Sequence, residues 1–234
     1  MTPERIASLA EEANALEPDV IVLLGDYVAG TRMVGGWVDA HEWAPALSGL
    51  KAPLGVFSVL GNHDWWEDLT AQKAGHGPTI ARRALEAAGI PVMENDAVRL
   101  EKDGPGFWIA GLADQLALRP GRAWGRSGFT GLHDLGGTLA KVSDEAPVIL
   151  LAHEPDIFPE VPDRVTLTLS GHTHGGQIRL FGYSPVVPSR FGNRYAYGHV
   201  VEGSRNLIVS GGLGFSIAPI RFGVRPEILA VDLG

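Results

Sequence analysis

The stretch Val20-Ile21-Val22-Leu23-Leu24-Gly25-Asp26 decides the fold: an unbroken apolar run that stops on a glycine and a carboxylate. Such a run, with no polar alternation, suits a strand covered on both faces. The same pattern recurs downstream. Val56-Phe57-Ser58-Val59-Leu60 leads into Gly61-Asn62-His63-Asp64, Val148-Ile149-Leu150-Leu151 into Ala152-His153, and Val165 to Leu169 into Ser170-Gly171-His172-Thr173-His174-Gly175-Gly176. Four apolar runs thus end in side chains able to hold a metal.

Between these runs the spacing turns helical. Thr2 reads as an N-cap and Pro3 as a first-turn residue before Ile6, Leu9, Ala10, Ala13 and Leu16, which line one face until Pro18. Helical stretches are also expected around Val38 to Leu50 and from Pro78 to Ala88, the second closed by Gly89, with a weaker strand over Phe107 to Ala110. Beyond Gln177 the chain is rich in Gly and Pro, and Tyr195 to Val201 and Asn206 to Ser210 read as hairpin strands. An α/β beginning with a mostly β ending predicts two packed sheets with helices outside. The 234 residues are expected to form one domain, 1–234.

Composition narrows the chemistry. There is no cysteine, which removes disulfides, thiolate metal sites and thiol nucleophiles. Nineteen Lys and Arg against 27 Asp and Glu give a formal charge of −8, with no basic cluster for nucleic acid, so nucleic-acid binding is not expected. An acidic chain acting on anionic phosphates needs its local field reversed, which bound cations do. No basic, apolar leader follows Met1, so the chain as written is expected in the cytoplasm.

In open α/β sheets ligands gather beyond the carboxyl ends of strands, where Asp26, Asn62, His63, His153, His172 and His174 stand. Carboxylate, amide oxygen and imidazole together suit Mn, Fe or Zn. Singly each has a plainer reading: Asp26 as a loop cap, Asn62 as an Asx turn, a lone His as a satisfied polar group. Jointly, on successive strand ends, they point to a metal site.

Gly25-Asp26, Gly61-Asn62-His63-Asp64, His153 and Gly171-His172-Thr173-His174 resemble the ordered signature of the calcineurin-like metallophosphoesterases. Gly175-Gly176-Gln177, Val187-Pro188-Ser189-Arg190 and Arg221-Phe222-Gly223 extend the likeness to a bacterial branch with membrane-associated and exported members. The resemblance implies an αββα sandwich and a hydrolase of phosphodiesters, phosphomonoesters or diphosphates that uses a hydroxide activated by two divalent metal ions. It implies that Asp26 bridges both ions, that Asn62, His153 and His172 complete the second, and that His174 serves the first. It further implies that His63 contacts the phosphoryl oxygens or protonates the leaving group, oriented by Asp64. The branch implies a phosphorylated small molecule or a lipid-linked diphosphate, such as UDP-diacylglucosamine, as substrate, with peripheral membrane contact.

The family signature opens with Asp-x-His on a first strand, and none precedes Gly25-Asp26. The expectation is an N-terminally truncated chain lacking that strand, with the second-metal site complete and the first incomplete, and a membrane-associated or exported parent. The alternative is a catalytically impaired metal- or phosphate-binding module. Asp39-Ala40-His41 matches the triplet but falls in a helical stretch and is read as a coincidence. Three further features stay open. Trp65 or Trp66 forms an apolar wall for substrate or packs in the core; Arg221 meets substrate phosphate or a surface carboxylate; Gly211-Gly212-Leu213-Gly214 offers amides to phosphate or makes a tight turn.

Overall fold

A computed structural model describes residues 1–28, 38–102, 104–216 and 219–233. The chain opens with α1, Pro3–Asn14, started by the Thr2 hydroxyl accepting from the Arg5 amide at 3.3 Å and burying Leu9, Ala10 and Ala13. β1, Ile21–Leu23, follows. The helix α2, Ala40–Leu47, is capped by the Asp39 carboxylate, which accepts from the His41 amide at 2.9 Å. That bond explains the stray Asp-x-His triplet: it is an exposed helix cap.

β2, Val56–Ser58, pairs in parallel with β1 in the register Ile21 to Val56. Three short helices come next: α3, Asn62–Trp66, α4, Leu69–Ala74, and α5, Ile80–Ala87. A six-stranded sheet is then laid down from β3, Asp96–Leu100, β4, Phe107–Gly111, β5, Val148–Leu151, β6, Leu167–Ser170, β7, Gly198–Glu202, and β8, Arg205–Val209. Its order is β3-β4-β5-β6-β8-β7, parallel in the middle and antiparallel at both outer pairs. Helix α6, Leu135–Leu139, sits between β4 and β5 in the chain.

The two sheets meet through Phe57 and Val59 on one side and Ile109, Ile149 and Leu151 on the other, with Met93 between them. Trp43, Leu60, Trp65 and Leu85 cover the outer face of the small sheet with helices. Trp108, Leu150, Phe158, Tyr195 and Leu207 fill the outer face of the large one. This is the sandwich of two sheets between helical layers that the residue pattern predicts, and it explains why β5 reads as uniformly apolar: all four residues are buried.

The C-terminal part departs from the expected run of hairpins. Beyond Gln177, among the described residues, only β7 and β8 form one, and β7 begins at Gly198 rather than Tyr195, which lies in a 3-10 turn over Gly192–Tyr195. Elsewhere single bridges, Ile178 with Phe222 and Leu180 with Tyr183, hold the chain. Pro185 and Pro188, which lack an amide donor, interrupt any longer ladder there. No helix among the described residues is long and apolar enough to cross a membrane.

Candidate metal centre and phosphoester site

The site lies where β1, β2, β5 and β6 end. Asp26 takes a left-handed backbone with φ of 62°, as do His172 at 66° and His174 at 51°. Side chains other than glycine seldom adopt this conformation, and its clustering here marks a backbone bent to aim ligands inward. Two glycines leave the necessary room. A Cβ on Gly61 would stand 2.3 Å from Asp26 Oδ1 and 2.7 Å from His153 Nε2, and one on Gly25 would stand 2.5 Å from the Gly61 amide nitrogen.

Four donor atoms converge there. Asp26, His153 and His172 each offer a ligand atom within 4.8 Å of the others. His153 Nε2 lies 3.2 Å from Asp26 Oδ2, and His172 Nδ1 lies 3.0 Å from Asn62 Oδ1 and 3.3 Å from His153 Nε2. The other nitrogen of His153, Nδ1, faces the Leu24 carbonyl at 2.5 Å, a contact only its N–H can make. That bond fixes the tautomer and turns the Nε2 lone pair toward Asp26. A lone pair facing a carboxylate needs a cation between them. Burial opposes charge on His153, yet the Asp26 carboxylate overrides it and raises the imidazole to about 10, so a proton occupies that place in the metal-free chain. Asp26 is correspondingly lowered: burial would raise it, but His153 and, more weakly, His63 and His172 favour its ionised form. The donor set fits a divalent first-row ion.

His174 stands apart from this cluster. Its Nδ1 accepts from Arg221 Nη2 at 3.3 Å, and burial, with Arg221 nearby, holds the ring down to about 4 and therefore neutral. Arg221 is itself clamped by the Gly211 carbonyl at 2.6 Å and the Gly214 carbonyl, the latter at 2.7 Å from Nε, while its Nη1 is buried without a partner among the described residues. The glycine loop thus presents carbonyls to Arg221. Its amides at Gly211 and Gly212 go to Glu227 and Ser210, which favours the tight-turn reading of this loop over the phosphate cradle.

A second correction concerns Asp64. Its carboxylate does not orient His63. Oδ2 accepts from the amides of Asp26 and Gly61, both at 2.9 Å, and Oδ1 from Tyr27 at 2.8 Å and Val28 at 3.1 Å. Four amide donors saturate the group, which ties the β1 loop to α3 and thereby positions Asp26. The carboxylate that faces His63 is Glu67, one helical turn on, 3.9 Å from the otherwise unpartnered Nδ1. His63 also donates its backbone amide to Asp26 Oδ1 at 2.9 Å.

A third correction separates the two tryptophans. Trp65 is 2% exposed and packs in the core between α2, α4 and α5, so it does not line the site. Adjacent residues on a helix diverge by about 100°, and Trp66 points outward. It meets His63 edge-on at 5.2 Å, stacks on exposed Phe129 at 5.3 Å, and carries the Arg119 guanidinium at 4.8 Å, with Arg119 in turn bonded to Glu67 at 3.3 Å. Phe129 and Arg119 carried no motif. Glu67 was detectable as the carboxylate four residues after His63.

Residues 2–176 match the family model described as calcineurin-like phosphoesterase. The chain belongs to that family, whose members are phosphoric ester hydrolases. It is 34% identical to the uncharacterized metallophosphoesterase YkuE of Bacillus subtilis, over 99% of this chain and 73% of that protein. It is 30% identical to the phosphodiesterase YaeI of Escherichia coli, over 97% of this chain and 76% of that one. Among solved structures it resembles the NAD nucleotidase NadN of Haemophilus influenzae, with a TM-score of 0.51 and 16% identity over 88% of this chain and 43% of that chain, a likeness of fold alone.

Proposed function

We propose that the chain hydrolyses phosphodiesters, with Asp26, Asn62, His153 and His172 holding one divalent cation, of Mn, Fe or Zn, and His174 with Asp26 recruiting a second more weakly. The observation that carries this reading is the convergence of Asp26 Oδ2, His153 Nε2, His172 Nδ1 and Asn62 Oδ1 beside the free edge of His63. When bound, a cation pair polarises the phosphoryl group and lowers the pKa of the attacking water. The chain's own residues do the rest. His63 donates a proton to the departing oxygen, with Glu67 behind Nδ1 at 3.9 Å orienting the ring. The unpartnered Nη1 of Arg221 takes a phosphoryl oxygen. Trp66 and Phe129 wall the leaving-group side with an apolar face that excludes water from His63. A diester is favoured over a monoester by the likeness to a protein named a phosphodiesterase.

The test is hydrolysis of bis-p-nitrophenyl phosphate, p-nitrophenyl phosphate and nucleotide-sugar diphosphates after loading with Mn, Fe or Zn. Turnover of the bis-ester above the other substrates supports the proposal. A second reading has its own support: His174 Nδ1 is taken by Arg221, which leaves the second cation few protein ligands. Tight binding of one metal with no hydrolysis of any substrate would favour a non-catalytic metal- and phosphate-binding module.

A further inference from the structure

Between β4 and α6 the chain doubles back as a short arm beside His63. The Leu118 amide donates to the Thr130 carbonyl at 3.0 Å and the Thr130 amide to the Leu118 carbonyl at 2.9 Å, while Gly121 pairs with Arg126 nearer the tip. Antiparallel pairing of Leu118 with Thr130 sets Arg119 opposite Phe129, so the two side chains share one face of the arm. Both meet Trp66: the Phe129 ring stacks on it at 5.3 Å and the Arg119 guanidinium lies 4.8 Å from its centre. Buried Gln72 fixes the arm, donating to the Ala117 carbonyl at 2.6 Å and accepting from the Arg119 amide at 2.9 Å. The indole N–H of Trp66 is held by the Leu116 carbonyl at 2.8 Å, and its ring meets His63 edge-on. Phe129 nevertheless stays 52% exposed. An open ring face, braced from behind beside a group that faces substrate, is a binding platform.

Charge adds the second half of the ligand. Residues 115–133 carry Arg119, Arg122 and Arg126 and no Asp or Glu, within a chain of net charge −8. Of the carboxylates bonded to this segment, Glu154 accepts from the Gln115 amide at 3.1 Å and Asp114 from the Leu116 amide at 2.8 Å, which leaves Glu67 on Arg119. Glu67 Oε1 lies 3.3 Å from Arg119 Nη2 and 3.9 Å from His63 Nδ1, so guanidinium and imidazole flank one oxygen atom. Nε and Nη1 of Arg119 make no hydrogen bond among the described residues, and its side chain is 37% exposed. A free guanidinium edge next to an open aromatic face suits a planar ring that carries an anionic group, which stacks on the one and forks onto the other. An acyl chain would cover the guanidinium without giving it a partner.

We propose that Phe129 and Arg119 form a leaving-group subsite that selects phosphodiesters whose leaving group joins a planar aromatic ring to a second negative charge. The subsite rests on the hydrolase reading and deepens it. In hydrolysis the oxygen of water bonds phosphorus, the bond from phosphorus to the ring-bearing oxygen breaks, and His63 gives that oxygen its proton. The ring then lies on Phe129, and its anionic group meets Arg119 on the far side of Glu67 from His63.

The experiment compares methyl p-nitrophenyl phosphate with methyl 3-carboxy-4-nitrophenyl phosphate, which differ only in a carboxylate on the leaving ring. The Mn-loaded wild type should favour the carboxylated diester by about tenfold in kcat/KM. Arg119→Gln should bring that ratio to about one, and Arg119→Lys should keep part of it, as a charge without the planar fork. Phe129→Ala should lower kcat/KM for both diesters about tenfold with metal content intact. Binding is read without turnover by saturation-transfer NMR on the metal-free chain, using 5-hydroxy-2-nitrobenzoate as an aryl acid and thymidine 3′-phosphate as a nucleotide. The probe whose signal is lost in both Arg119→Gln and Phe129→Ala supports the subsite and names the source of the ring; a signal that survives both variants for each probe would overturn it. Equal kcat/KM for the two diesters in wild type would overturn the subsite and leave the hydrolase reading standing. Hydrolysis of neither would remove that reading and the subsite with it. Loss of metal in Arg119→Gln would make Arg119 a structural residue only, and would also overturn the proposal.

Discussion

At the residue scale the site runs on competition between a proton and a metal for one position. His153 is raised above its ordinary value, so at pH 7 the metal-free chain carries a proton between His153 and Asp26. A cation entering there must expel it. Titration of Mn at pH 7 in buffers of different ionisation enthalpy should therefore show release of about one proton per ion, and affinity should fall as pH is lowered. Binding without proton release would mean that His153 is not a ligand.

His63 separates turnover from binding. His63→Ala should leave metal content intact and lower turnover by roughly 10²–10⁴-fold. Glu67→Gln should lower turnover by loosening the His63 ring while leaving metal content intact, whereas Asp64→Asn should act through the β1 loop, since four amides depend on that carboxylate. Loss of metal in Asp64→Asn with retention in Glu67→Gln is the expected contrast. Gly61→Ala should abolish metal binding, because its Cβ has no space beside Asp26 and His153.

At the element scale, the five residues of α3 direct four side chains to different tasks. Asn62 starts it facing the metal centre, His63 faces the substrate side, Asp64 turns back to β1, and Trp65 enters the core. Trp65→Ala should cost about 3–5 kcal/mol of stability, as for other large buried aromatics. Trp66→Ala, which loses the indole bond to the Leu116 carbonyl at 2.8 Å and part of the packing against the same core, should cost less stability than Trp65→Ala and raise KM for aryl esters. The reverse pattern in thermal melts and kinetics would put the helix out of phase.

Legibility followed length and polarity. Asp26, Asn62, His153 and His172 were readable because each closes an apolar run, and in such a sheet those ends meet. Glu67 and Arg119 were harder: their role depends on a helix too short to show periodicity and on a loop contact 52 residues away. β3 was missed because Asp96 and Arg99 break its apolar pattern at the sheet edge, where Lys141 and Asp144 pair with them. The positive φ angles at Asp26, His172 and His174 have no residue signature, since glycine is absent from all three positions.

At the scale of the whole molecule, the sheet-to-sheet core of Phe57, Ile109, Ile149 and Leu151 holds the ends of β1 and β2 against those of β5 and β6, and the contact of His153 with the Leu24 carbonyl ties the two sheets at the candidate metal site. Removing the ion leaves the proton in its place, and stability should drop only by the binding linkage. Chelation is expected to lower Tm by an amount that grows with the logarithm of the ratio of free metal to Kd before chelation, without loss of the folded circular dichroism spectrum.

The central claim is that Asp26, Asn62, His153 and His172 form one cation site by themselves. Titration of Mn followed by electron paramagnetic resonance, in the wild-type chain and in His172→Ala, tests it most directly. The account predicts one tightly held ion and a second weak one in the wild type, with the tight ion lost from His172→Ala. Retention of the tight ion in His172→Ala, or two equally tight ions in the wild type, would contradict it.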